Sequence, residues 1–259
     1  LVTGLSSSIF WPLSSVMGAQ IGWRGTCLVY VGLLLLITLP LLVFVLPKRP
    51  RDHLALASDT QAASVRSAPA RSTFHLLVAA IGLNAFVSMG LSAIFIELLR
   101  VEGLTNSEAV GFGSMLGVVQ ISARAVDFLG GGRWDGITTA LTAGLALPLA
   151  MLLLIVAGGS YAAVAAFILI YGLGSGALAV ARATMPLVFY DKAAFATASA
   201  QIALPLNLLS AVSAPVLAAL LSSYGSNALL GVTFACSSAA LLMLLLLRRR
   251  RPAHVMVGT

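Results

Sequence analysis

Five residues of one apolar run are spaced to share a helical face: Gly113, Gly117, Gln120, Arg124 and Asp127. Their separations of three and four residues match the helical repeat. The glycines allow a neighbouring helix to come close, and the second half of the face presents an amide, a cation and an anion. Ionisable groups inside an apolar run are costly unless they face a protein interior or a watery cavity. Arg124 therefore either meets an anionic solute, or pairs with Asp127 one turn away and snorkels to the interface. Gln120 lies deeper in the run and is the better candidate to line a path.

Other polar groups follow the same helical spacing. Asn84, Ser88 and Ser92 recur every four residues in the run His75–Leu98. Serines in such a stripe can serve simply as hydrogen-bonding links between helices. Asn84 is harder to explain that way, because its amide has both donors and an acceptor to satisfy. Glu97, near the end of that run, either takes up a proton or cation or pairs with Arg100. Further on, Gly172-Leu-Gly-Ser-Gly176 is followed by Arg182, which is either an anion contact or a charge anchor. Gln201 and Asn207 accompany Pro205 and Pro215 in one run, and proline-bent helices with freed carbonyls commonly line transport paths.

Enzyme chemistry has no comparable footing. The sequence has no glycine-rich phosphate loop ending in Lys-Ser/Thr and no His-Glu-x-x-His. His53, His75 and His254 stand apart, so no metal cluster is expected. Nor do the runs offer a Ser/His/Asp or paired-Asp set. We expect no catalytic residues, no cofactor and no metal, and solute movement down or coupled to a gradient instead of ATP-driven transport.

The surrounding chain explains why these groups are read as intramembrane. Its 259 residues are 59% hydrophobic and 9% charged, with mean hydropathy +1.03, whereas soluble domains carry about 25% charged residues. Eight runs approach the ~20 residues that cross a bilayer: 1–21, 27–46, 75–98, 109–130, 137–158, 161–187, 195–222 and 227–247. They are too uniformly apolar for the alternating pattern of a membrane barrel. The predicted fold is therefore an all-α polytopic helical bundle of eight transmembrane helices. Cys27 and Cys236 sit in apolar runs and are predicted to be small core residues.

One long polar break, rich in Ala, Ser and Pro, divides the runs and has the composition of a linker. The predicted domains are a two-helix unit over 1–46, a cytoplasmic linker over 47–73, a six-helix bundle over 74–247 and a basic tail over 248–259. If the linker is cytoplasmic and the runs alternate, Lys48, Arg49, Arg51, Arg66, Arg71, Arg124, Arg133, Arg182, Lys192 and Arg248–Arg251 share its side. Of the 15 Lys and Arg residues, only Arg24 and Arg100 fall opposite. This positive-inside bias supports both the run count and the orientation, with linker and C-terminus cytoplasmic. It also accounts for the formal net charge of +7 without nucleic acid as a partner.

Phe10-Trp11-Pro12 followed by Gly22-Trp23-Arg24 resembles the fifth-to-sixth-span junction of major facilitator superfamily transporters. The basic break resembles that family's central cytoplasmic loop, and the six runs after it resemble its C-terminal half. The stretch from Ala123 and Arg124 through Asp127 and Gly130 to Arg133 resembles the family's cytoplasmic loop motif. It departs from the motif in Ala123, where a glycine is expected, and in two extra residues before Arg133. The resemblance implies that Asp127 and Arg133 gate the movement of two helical halves. It also implies four spans ahead of Leu1, so the chain is expected to be a fragment that would not transport alone. The glycine-proline signature of many drug–proton antiporters is absent from the first run.

These features lead us to expect a secondary active transporter in a bacterial inner membrane, moving a small solute by alternating access. An organic anion such as a carboxylate suits the arginines. Asn84, Ser88, Gln120, Arg124, Arg182, Gln201 and Asn207 form the expected substrate pathway. The expected partners are the solute, the bilayer and a coupling ion, whether a proton or another. The alternatives are a non-transporting polytopic protein, such as a receptor or scaffold, and a drug-efflux antiporter of the same superfamily.

Overall fold

Residues 5–45, 71–130, 136–190 and 192–250 are described in a computed structural model. The first element is α1 (Leu5–Leu33), which runs through a π-helical turn (Leu34–Thr38) into α2 (Leu39–Val45). Then come α3 (Arg71–Val101), α4 (Asn106–Leu129), α5 (Gly136–Ala157), α6 (Tyr161–Phe189) and α7 (Lys192–Arg249). No strand occurs among the described residues. Six helices among them are long and apolar enough to cross a membrane, which marks an integral membrane protein.

The sequence predicts eight separate membrane helices, and the structure has six. The difference arises at Gly22 and Gly225. Instead of a short loop, each reversal has one residue with non-helical dihedrals, φ 69° and ψ 170° at Gly22, and φ 80° and ψ −179° at Gly225. This region of backbone space is essentially closed to residues with a Cβ, so a single glycine replaces a longer turn. A straight helix would hold residues 10 and 30 about 30 Å apart. The rings of Phe10 and Tyr30 instead lie 5.7 Å apart, and the hydroxyls of Ser14 and Tyr30 are hydrogen-bonded. Helix α1 therefore folds back on itself at Gly22, whose carbonyl accepts a bond from Thr26 Oγ1 at 2.9 Å.

Helix α7 behaves in the same way. Its 58 residues would extend about 87 Å if straight. Gly82 and Gly90 of α3 lie against Leu209 and Leu217, so the first half of α7 runs parallel to α3. Yet Arg250, just past the end of α7, donates to Ser72 Oγ at the start of α3, 2.8 Å away. The chain has come back by then, and Gly144 of α5 packs on Leu241 and Leu244 of the returning half. Dihedrals stay helical through Pro205 and Pro215.

Local sequence explains the other irregularities. The π turn ends two residues before Pro40, whose ring would crowd the carbonyl of Leu36 in a regular helix. Ser160 caps α6 by accepting from the Ala163 amide at 3.3 Å. Thr105 and Glu108 form a reciprocal capping box at the start of α4: Glu108 Oε2 accepts from the Thr105 amide at 2.8 Å, and Thr105 Oγ1 accepts from the Glu108 amide at 3.4 Å. The Glu108 carboxylate also accepts a bond from the Tyr161 hydroxyl, which ties α4 to α6. The expected Glu97–Arg100 pair is present at 2.8 Å and is exposed.

Helices α3 to α7 enclose an apolar core of which Phe95, Leu116, Leu147, Met151, Phe167 and Leu244 are fully buried members. Large apolar side chains also cover the outside, for example Leu36, Phe44, Val156, Leu204 and Leu242. In water such a surface would drive association; in a bilayer it faces lipid. Cys27 is exposed, contrary to its predicted core position, and Cys236 is half-buried. Both are free thiols.

The predicted linker 47–73 lies largely outside the described residues, and its last residues already belong to α3, which begins at Arg71. Similarly, α7 continues to Arg249, so the basic run begins as the last helical turn and not as a tail. Replacing Gly225 with Val should cost about 1–3 kcal/mol, the strain of forcing a side chain into its dihedrals. Gly231, with open space around it and ordinary dihedrals, serves as the control, and its replacement by Ala should leave stability unchanged or slightly raised. Denaturant unfolding of the two variants in detergent micelles measures the contrast.

Candidate functional site

The site begins with a glycine-lined seam. Helix α6 packs against two helices at once through alternate sides of Gly172-Leu-Gly-Ser-Gly176. A Cβ on Gly176 would lie 2.5 Å from the Gln120 carbonyl oxygen, and one on Gly172 would lie 2.7 Å from Val119. A Cβ on Gly174 would instead lie 2.8 Å from Ala146 and Leu147 of α5. Small residues let backbones approach this closely. The approach also brings the Gln120 side chain within reach of α6, and its Nε2 donates to Ser175 Oγ at 3.0 Å. Ser175 in turn donates to the Gly172 carbonyl at 3.4 Å.

Ser175 is one wall of a cleft between α3 and α6. Asn84 and Ser88 line it from α3, and Ser175 and Arg182 from α6, with Ile81 and Met185 among the apolar neighbours. The space that a water centre can occupy is about 10 Å³, roughly one water molecule. Asn84 is only 7% exposed. Its Nδ2 and Oδ1 atoms are both buried, with no hydrogen-bond partner among the described residues. An amide in that condition carries a desolvation cost of about 1–3 kcal/mol.

Arg182 is half-buried and makes no ion pair among the described residues. Arg124, one turn beyond Gln120 on α4, is half-buried as well. Arg124 lies near enough to Arg182 for the two positive charges to act on each other, and it has an interaction of its own besides.

An aromatic column borders the cleft. Trp11 of α1 stacks on Phe95 at 5.9 Å, Phe95 on Phe167 at 6.0 Å, and Phe167 on Tyr171 at 5.5 Å. The Tyr171 hydroxyl lies 3.4 Å from the Ser88 carbonyl, to which it donates. Trp11 fits there because Gly113 leaves the space: a Cβ on Gly113 would lie 2.6 Å from the indole.

The residues predicted from sequence thus divide into groups. Asn84, Ser88 and Arg182 line one cleft, Gln120 reaches it through Ser175, and Arg124 stands beside it. Gln201 and Asn207 are exposed on α7 and do not line the cleft. Asp127 belongs to α4 by its backbone, while its side chain and all of Arg133 lie outside the described residues. Ser175 was missed as a partner of Gln120; its only signal was its place between glycines, since 55 residues separate the pair.

No protein-family model and no curated protein sequence matches the chain. The buried amide carries a direct stability test. Asn84→Leu, which removes both unpartnered atoms and keeps a similar volume, should stabilise the unliganded protein by about 1–3 kcal/mol. Thermal unfolding in detergent without added solute measures it; a clear loss of stability would show that Asn84 has a structural partner.

Proposed function

We propose that the protein is a secondary transporter that moves a small organic anion, and that Arg182 provides the main charge contact. The observation that carries this reading is the cleft itself: a half-buried arginine without an ion-pair partner among the described residues, facing an unpartnered amide within a helical bundle. Ionisable and amide groups at such places are costly, and solute paths are where membrane proteins keep them. A carboxylate is a suitable ligand because guanidinium and amide N–H groups are both donors to it.

In this reading α1 and α7 each contribute two crossings, reversing at Gly22 and Gly225. Together with α3 to α6 they make eight crossings, as in part of a major facilitator superfamily protein. The linker and C-terminus then face the cytoplasm of a bacterial inner membrane, and Asp127 and Arg133 gate the movement of two halves. Because the cleft has room for about one water, it is a constricted conformation, and admitting a solute requires α3 and α6 to separate. Alternating access supplies such a movement. The coupling ion, a proton or another, remains part of the proposal without an assigned site.

A second reading, a non-transporting polytopic protein, draws on the exposure of Gln201 and Asn207 outside the cleft. Binding separates the two. With the protein in lipid nanodiscs, Arg182→Ala should weaken binding of labelled propionate at least about tenfold, the worth of one charged hydrogen bond. Arg124→Ala should weaken it less. Unchanged binding by both variants would defeat the anion reading, and absence of binding by the parent would favour the non-transporting one.

A further inference from the structure

We infer that the cleft selects carboxylates that also bear a hydroxyl group, because Asn84 presents a donor and an acceptor, both unmet among the described residues, in the same cleft that Arg182 lines. This rests on the proposed anion site and adds the class of solute to it. The argument starts from what each group can accept. Arg182 has only donors, so the carboxylate belongs there. Asn84 Nδ2 needs an acceptor, but Asn84 Oδ1 needs a donor, and both atoms are buried without a partner among the described residues.

A plain carboxylate has no donor. Placed against Asn84 it would satisfy Nδ2 and leave Oδ1 facing a second oxygen lone pair. A hydroxyl can accept from Nδ2 and donate to Oδ1 at once. Ser175 does not answer Asn84 in its place: no hydrogen bond joins the two, and the Ser175 hydroxyl bonds to Gln120 Nε2 and the Gly172 carbonyl. An ammonium could donate to Oδ1, but it would add a second positive charge to the cleft that Arg182 already lines. The combination favours a hydroxycarboxylate over both a simple carboxylate and an amino acid. Sites built to bond a hydroxyl discriminate strongly against ligands that lack it, since the buried partners are then left unmet.

Three probes of similar size isolate the groups: L-lactate, propionate and L-alanine. Binding of each labelled probe to the full chain in lipid nanodiscs is measured by equilibrium dialysis. L-lactate should bind at least about tenfold more tightly than propionate, and L-alanine should bind most weakly. In Asn84→Leu the ratio of lactate to propionate affinity should fall to about one. Equal affinities of lactate and propionate in the parent would overturn the hydroxyl inference while leaving the anion reading intact. A lactate preference that survives Asn84→Leu would overturn the role of Asn84, and alanine binding as tight as lactate would overturn the charge argument. Failure of the parent to bind either anion would overturn the anion reading and this inference with it. The parent's own affinity ratio decides the matter even if the variant does not fold.

Discussion

Helix α6 can touch α4 and α5 simultaneously only because three residues of its middle turns have no side chain. Gly172 and Gly176 face α4, and Gly174 faces α5. Lipid tails are as apolar as leucine, so burial of apolar surface gives little drive for helices to associate in a bilayer; close packing and interhelical bonds do that instead. The seam therefore fixes the position of everything later in α6. It holds Ser175 against Gln120 and places Arg182 two turns further on, in the wall of the cleft that Asn84 also lines. A side chain on Gly176 would meet the backbone of Gln120, which cannot rotate away as a flexible side chain could.

Across the cleft the usual economy of a protein interior fails at Asn84. Most polar side chains of this bundle are satisfied locally, as the Thr233 hydroxyl is by the Leu229 and Leu230 carbonyls and the Ser213 hydroxyl by the Ser210 carbonyl. Asn84 is deeply buried in the same bundle and satisfies neither side of its amide. Natural sequences break such rules chiefly where function requires it. That departure is what distinguishes this cleft from the general packing.

The helices were legible in the sequence because length and apolar composition decide them, and α3 to α6 lie within a few residues of their predicted runs. The helix count was not. At Gly22 and Gly225 a single glycine in an unusual conformation reverses the chain and leaves no longer loop to detect. At the site, helical spacing found the stripe of α3 and the polar face of α4, both of which depend only on neighbours within one helix. It could not find Ser175, whose meeting with Gln120 depends on how closely two helices pack. Gln201 and Asn207 failed for the same reason: intramembrane polarity gives no direction around the helix axis until the neighbours are known.

The aromatic column shows how the first hairpin and the cleft come to share structure. Trp11 is the point at which α1 enters the bundle, in the space left by Gly113, and its ring continues the stack of Phe95, Phe167 and Tyr171. Stacked rings are stiff, because each has few rotatable bonds and fills its site closely. Tyr171 ends the column with a hydroxyl on the Ser88 carbonyl, one turn from Asn84. A separation of α3 from α6 that widened the cleft would shear the contacts of Phe95 with Phe167 and Tyr171, the two rings α6 contributes. Trp11 rests on Phe95, so α1 would have to move with α3 or give up its stacking. The hairpin that looks outermost in the fold is thereby joined to the cleft that holds the buried amide of Asn84.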